Sequence, residues 1–281
     1  MKIACNYYPE TEQLLDEGKI ELDYFKYPSL GFQMGIMKDL EVFEAFCRTV
    51  VSKRPILLHG LYPAPHDLAS PTLQTDFDNV TAQRLLAMTR APGLSFHPAL
   101  RPLPTSTSFG PVLETIIGNA RFIQQRYAHL SFVSLENGDN LEWGALLQPE
   151  NMTRLVEESG CGFLLDISHA YCAARLLDVP FYDYLRRLPL DKTAEIHING
   201  WIVAGSDVMC HTKIHEKGYQ ALEFVLEHCT PQVITVEYGR PNDRIDAGVV
   251  VMQPDKVQKQ AKNEIEEQVY KIQEICHKKG I

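Results

Sequence analysis

The sequence predicts an α/β fold, a (β/α)₈ TIM barrel with an extra C-terminal helix, and two observations carry that expectation. Eight short apolar, strand-like runs recur along the 281 residues with helix-like segments between them, and strands alternating with helices imply a parallel sheet built from right-handed crossovers. No GxGxxG or GxxxxGK(S/T) motif follows any of the runs, which removes the usual nucleotide-cradle signature of the alternative, an open doubly wound sheet.

Taken in order, the runs are KIAC (2–5), IELDYFKY (20–27), PILLHG (55–60), GLSFH (93–97), FVSLEN (132–137), GFLLDIS (162–168), AEIHING (194–200) and VITVEYG (233–239). Apolar spacing near 3.6 marks helices in VTAQRLLAMTR (80–90), VLETIIGNARFIQQRYA (112–128), NMTRLVEESG (151–160) and YQALEFVLEHC (219–229). Gly160 stands where a C-terminal cap belongs, and Pro55, Pro92 and Pro231 precede strands. The charged tail, about 256–280, repeats apolar residues at Ile265, Val269, Ile272 and Ile275 and reads as a helix packed on the outside. Without linkers, repeats or low-complexity tracts, residues 1–281 read as a single barrel domain.

Composition narrows the function classes. With 45% hydrophobic and 22% charged residues the chain is that of a globular protein, and no apolar run approaches the roughly 20 residues of a membrane helix. MKIACNYYPE lacks the apolar core of a secretory signal, so a cytoplasmic location is expected. Seven cysteines without CxxC spacing indicate neither a disulfide framework nor a thiolate zinc site. A formal charge of −9 makes nucleic acid an unfavoured partner.

Barrels of this type carry their chemistry at the C-terminal ends of the strands. His59, His97 and Glu136 end the third, fourth and fifth runs, Asp166 and His169 the sixth; His197 and Glu237 sit late in the seventh and eighth, and His211 follows in the next loop. A lone strand-end histidine is ordinarily a hydrogen-bonded core or capping residue. A ring of imidazoles and carboxylates at one rim is different, because burying them together costs many kcal/mol unless bound cations compensate. In GFLLDISHA the pair Asp166 and His169 reads as two metal ligands, while Ser168 is a candidate cap for a helix starting at Ala170. His66, in the long loop after the third run, is a candidate substrate contact. Asn6, Lys26 and Asn199 read equally well as substrate contacts or turn residues, and Glu195, two residues before His197, as an orienting group one layer deeper.

In order and approximate spacing, LLHG, SFH, SLEN, LLDISHA, EIHING and TVEYG resemble the DUF692 group, the multinuclear non-heme iron-dependent oxidative enzymes (MNIO) of the xylose-isomerase-like barrel superfamily, over residues 3 to about 240. That resemblance implies metal ligation by His59, His97, Glu136, Asp166, His197, His211 and Glu237, with Glu136 bridging ions. The D-x-x-H spacing adds His169 and is also similar to a trinuclear-zinc endonuclease branch. Where the group has an Asp-x-His pair this chain has Met209-Cys210-His211, so Asp207, two places early, is the remaining acidic candidate. The resemblance further implies two or three metal ions, iron first with zinc or manganese as alternatives, and O₂-dependent oxidation of a small or peptide substrate at a cysteine. His169, Glu136 and His66 are the expected catalytic residues, and a separate leader-recognition protein the expected partner. The alternative within the same superfamily is a redox-silent zinc- or manganese-dependent sugar isomerase or epimerase, or a phosphoesterase. A nuclease version of that alternative is disfavoured by the few basic residues near the rim, Arg101, Arg175 and Lys213.

Overall fold

A computed structural model describes residues 1–28, 31–105, 108–205, 207–240 and 254–281. Ten strands form: β1 Lys2–Asn6, β2 Tyr24–Tyr27, β3 Ile56–His59, β4 Gly93–Phe96, β5 Phe132–Glu136, β6 Gly162–Asp166, β7 Thr193–Ile198, β8 Gly200–Ala204, β9 Asp207–Thr212 and β10 Val233–Val236. β1 to β7 and β10 close into a barrel in which every neighbouring pair is parallel, and β8 and β9 form a separate antiparallel hairpin.

The eight expected runs all supply barrel strands, with shifted boundaries at several, the eighth ending at Val236. The second begins only at Tyr24, because Asp23 turns its carboxylate onto the backbone N–H of Ile3 and the Lys2 ammonium. The sixth stops at Asp166 and a helix follows at once over Ile167–Leu176. Asp166, not Ser168, caps it: its Oδ1 accepts the His169 N–H at 2.8 Å and the Ser168 hydroxyl at 2.8 Å. The seventh ends at Ile198, and Gly200 opens the hairpin, which the sequence did not announce. A side chain at Gly200 would stand 1.9 Å from the Lys213 carbonyl, so only glycine fits where the hairpin closes on itself.

Helices occupy Asn79–Thr89, Phe109–Arg126, Pro149–Ser159 and Glu216–Val225, near the periodic segments. Gly160 caps the third of these at φ 72°. The helices Pro9–Asp16, Leu40–Val51 and Phe181–Arg187 were not read from the pattern; the first and last are only eight and seven residues long, whereas Leu40–Val51 buries an apolar face of Phe43, Cys47, Val50 and Val51. The C-terminal helix runs Pro254–Lys279 and lays Ile265, Val269, Ile272 and Ile275 against the body of the protein, all but fully buried.

Inside the barrel, alternation sets two rings. Ser95, Ser134, Glu195 and Thr235 are completely buried and stand two residues before His97, Glu136, His197 and Glu237, on the same strand face. The intervening Phe96, Leu135, Ile196 and Val236 point outward into the helix layer and are also completely buried. A polar layer thus supports the rim where a barrel of purely structural design would be filled with branched aliphatics.

Ile272→Ala should lower unfolding free energy by about 2–4 kcal/mol through lost burial and residual cavity. Tyr270→Ala, on the exposed face of the same helix, should stay within about 0.5 kcal/mol. Urea titrations of both variants check this.

Candidate metal centre

The barrel strand ends, the helix after β6 and the hairpin deliver eight side chains to one volume. Glu136 is its hub: Oε2 lies 3.0 Å from His59 Nε2 and 2.8 Å from His97 Nε2, while Oε1 lies 3.3 Å from His197 Nδ1 and 3.6 Å from His169 Nδ1. Glu237 Oε2 sits 3.0 Å from His197 Nδ1 and 3.3 Å from His211 Nε2. Asp166 Oδ2 is 3.7 Å from His169 Nε2.

Three groups of donor atoms lie close enough to share an ion: His59, His97 and Glu136; Asp166, His169 and His211; and Glu136, Asp166, His197 and Glu237. Glu136 and Asp166 each belong to two groups. The sequence-derived ligands His59, His97, Glu136, Asp166, His169, His197, His211 and Glu237 therefore all meet. Asp207 opens β9 opposite Ala204, and its side chain lies outside the described residues.

Whether these residues fit metal ions can be tested on their hydrogen bonding. Buried polar atoms in proteins are almost always paired. Both carboxylate oxygens of Glu136, both ring nitrogens of His197 and of His211, Nε2 of His169 and Oε2 of Glu237 are buried and make no well-formed hydrogen bond. They crowd within 3 to 4 Å in geometry that satisfies none of them, which is how donors are arranged around a shared cation. Nitrogen and oxygen donors of this kind suit iron, manganese and zinc alike.

Electrostatics agrees with the geometry. Burial pushes His59 down to about 4, leaving a neutral imidazole. Burial also opposes the charge of Glu136 and Glu237, but the imidazoles around them outweigh it and hold both carboxyls well below their usual range. Asp166 is pushed up by burial, with Glu237 and Glu136 adding repulsion. Against the opposing effect of burial, neighbouring carboxylates raise His169 and His197 well above the ordinary histidine range. In the metal-free chain these two rings hold their protons more tightly than an ordinary histidine. Cations would take the place of those protons.

Supporting residues fix the donors. Asn199 bridges two of them, donating Nδ2 to Asp166 Oδ2 at 2.8 Å and accepting the His211 N–H on Oδ1 at 2.8 Å. Asn137 clamps the Asp166 backbone through both its amide atoms, and its own carbonyl lies 3.1 Å from His169 Nδ1. His211 is held at φ 61°, a left-handed conformation unusual for a non-glycine residue. The Asn199 contact and a 2.7 Å bond from the Gly239 N–H to its carbonyl keep it there.

Beneath the rim, Lys26 donates to both oxygens of Glu195 at 2.9 Å and to Ser95 at 2.6 Å, and Glu195 Oε1 lies 3.3 Å from His197 Nε2. Glu195 thus orients His197, as its place in the alternation suggested. Lys26 is fully buried in this network and is not a substrate contact. Asn6 likewise turns to the Tyr238 carbonyl.

The donors open onto a cavity of about 390 Å³ walled by Met34, Leu100, Arg101, Leu103 and Trp143. Trp143 sets its ring edge-to-face with His97 at 5.6 Å. His66 does not reach the donors. It is buried beside Gly60, its Nδ1 lies 2.7 Å from the Ala64 carbonyl, and it lines a neighbouring cavity that shares Leu100 and Arg101 with the first. The bracing asparagines and Trp143 are the site residues least visible in the sequence: SLEN and EIHING contain the two asparagines, but nothing in one chain tells a brace from a turn residue.

Residues 76–250 match the family model described as RiPP precursor modification enzyme MbnB/TglH/ChrH. The chain belongs to this family. The MbnB/TglH/ChrH enzymes are the DUF692 group that the strand-end motifs resemble. A UPF0276 protein of Caulobacter vibrioides is 29% identical over 168 residues, 56% of this chain and 58% of its own length. One from Rhizorhabdus wittichii is 26% identical over 209 residues, 68% of this chain and 70% of its own. The match thus spans little more than half of the Caulobacter relative. Among solved structures, a D-tagatose 3-epimerase-like protein has a TM-score of 0.57 at 16% identity, covering 99% of both chains. A D-psicose 3-epimerase has 0.59 at 11%, covering 96% of this chain and 99% of its own. These likenesses show the xylose-isomerase-like barrel.

Because Glu136 serves two donor groups and His97 one, Glu136→Ala should lose more than one bound ion per chain and His97→Ala about one, with unchanged far-ultraviolet dichroism. Elemental analysis after dialysis checks the difference. Asn199→Ala should weaken metal affinity about 10- to 100-fold while leaving every ligand in place, read by competition with a chromophoric chelator.

Proposed function

We propose that this protein is a multinuclear, iron-dependent oxidative enzyme that modifies a ribosomally made peptide at a cysteine. One observation carries the reading: two carboxylates, Glu136 and Asp166, are each common to two donor groups, so these two residues would hold neighbouring ions in common. Membership in the MbnB/TglH/ChrH family, whose description is RiPP precursor modification, supports the peptide substrate.

The chain's own residues would divide the work as follows. His59, His97 and Glu136 would hold one ion, Asp166, His169 and His211 a second, and Glu136, Asp166, His197 and Glu237 a third. Bound iron would supply O₂ activation and one-electron oxidation at a coordinated thiolate. His97, with 39% of its side chain exposed while Glu136 is buried, faces the substrate cavity. Trp143 shields that imidazole from water on one side, and Leu103 and Met34 give a cysteine-bearing segment an apolar wall. Arg101, anchored by Asp67 at 2.5 Å, presents a guanidinium at the mouth for peptide carbonyls or a carboxylate. Glu195 and Lys26 keep the His197 ring fixed from below. A separate leader-recognition protein would deliver the peptide, because specificity for a long leader exceeds what a cavity of about 390 Å³ can read.

Mössbauer spectroscopy with elemental analysis of anaerobically purified protein tests the proposal. At least two exchange-coupled irons per chain support it; stoichiometric zinc or manganese without iron overturns it in favour of a redox-silent enzyme. A further expectation concerns protons. Neighbouring carboxylates raise the pKa values of His169 and His197 in the metal-free chain, so these rings hold more tightly the protons that ligation must displace. Metal affinity should fall as pH is lowered, and calorimetric binding enthalpies measured at one pH in buffers of different ionisation heat should diverge.

A further inference from the structure

Cys172 and Cys210 are far apart in the chain but place their Sγ atoms 3.2 Å from one another. Cys172 lies on the helix Ile167–Leu176, one turn beyond His169, and Cys210 lies in β9 beside His211. The contact therefore joins the helix and the hairpin that carry two of the metal-binding imidazoles. Neither sulfur belongs to any of the donor groups formed by the described residues, so the pair is not part of the metal centre. Cys161 and Cys229, by comparison, direct their thiols to backbone carbonyls.

A disulfide needs a sulfur separation of about 2.05 Å, so closing the pair requires about 1 Å of movement, within the range of small side-chain rotations. Cys172, though largely buried, lines a third cavity at the surface with Leu141, Arg175, Leu176 and Val208, which adjoins the metal-lined one through Asp139, Asn140 and Glu142. That cavity gives a small oxidant a route to the sulfur.

We propose that Cys172 and Cys210 are a redox modification site, a dithiol that peroxide converts to a disulfide latching the hairpin β8–β9 onto the helix behind Asp166. Two thiols and one hydrogen peroxide give one disulfide and two waters: the S–S bond forms, both S–H bonds and the O–O bond break, and each sulfur gives up one electron. A reducing compartment returns the pair to thiols by exchange with a low-molecular-weight thiol. The bridge closes a loop of 38 residues that contains β7 and most of the hairpin, restraining a rim segment that stands outside the barrel sheet.

The test treats the full chain, as purified, with hydrogen peroxide, followed by non-reducing proteolysis and mass spectrometry, and by amide hydrogen exchange. The expected result is a linked Cys172–Cys210 peptide pair that disappears on reduction and is absent from both Cys172→Ser and Cys210→Ala. Exchange of amides 200–212 should slow several-fold in the oxidised wild type and stay unchanged in either variant. Oxidation that consumes other thiols while both cysteines remain free overturns the site, and a bridge that leaves exchange unaltered overturns the latch. Cys172→Ser and Cys210→Ala keep all the donor residues, so a change in exchange shared with them is assigned to the donor site and only a change they lack to the bridge.

Discussion

Three carboxylates buried together at one end of a barrel are the constraint around which this structure is arranged. Glu136, Asp166 and Glu237 are almost completely removed from water, and an ionised carboxylate in such a place costs several kcal/mol even after relaxation. Lys26 cannot compensate them, since both oxygens of Glu195 already occupy its ammonium. Five imidazoles remain, and as neutral rings they bring lone pairs rather than charge. Cations bound among the three donor groups would supply the positive charge and give those lone pairs a target.

The same constraint explains the layer beneath. A parallel strand covered on both faces would ordinarily be a continuous apolar run, yet four strands here follow the pattern polar, apolar, ligand: Ser95-Phe96-His97, Ser134-Leu135-Glu136, Glu195-Ile196-His197 and Thr235-Val236-Glu237. The outward residue anchors the strand in the helix layer, and the inner polar residue supplies hydrogen bonds to its neighbours at the barrel axis. Thr235 donates to Glu195 at 2.7 Å, and Glu195 in turn faces His197. Rigidity at the rim is thus inherited from a buried network that contacts no substrate.

How much of this was legible in the sequence depends on the range of the interaction concerned. Strand positions and the ligands on them follow from local pattern, since each strand carries its own apolar register and its own polar terminus. His169 was recoverable because Asp166 and His169 lie within one turn. The hairpin was not, because β8 and β9 are stabilised by each other and by the steric demand at Gly200, neither of which gives a periodic signal. Lys26 was misjudged for a related reason: its partner Glu195 is 169 positions away, and only closure of the barrel brings β2 opposite β7. His66 stands out as a histidine in a long loop; its Nδ1 is bonded within two residues, and its ring lines the cavity beside the donors. Asn199 needed both Asp166 and His211 in place before its role as a brace could be seen.

The most direct measurement is a crystal structure of metal-loaded protein with anomalous difference maps at the absorption edge of the bound element. Peaks among His59, His97 and Glu136, among Asp166, His169 and His211, and in the space bounded by Glu136, Asp166, His197 and Glu237, at least two of them occupied together and joined through a shared carboxylate, are the expected result. A single isolated peak, or density bound away from Glu136, would contradict the bridged centre on which the whole account stands.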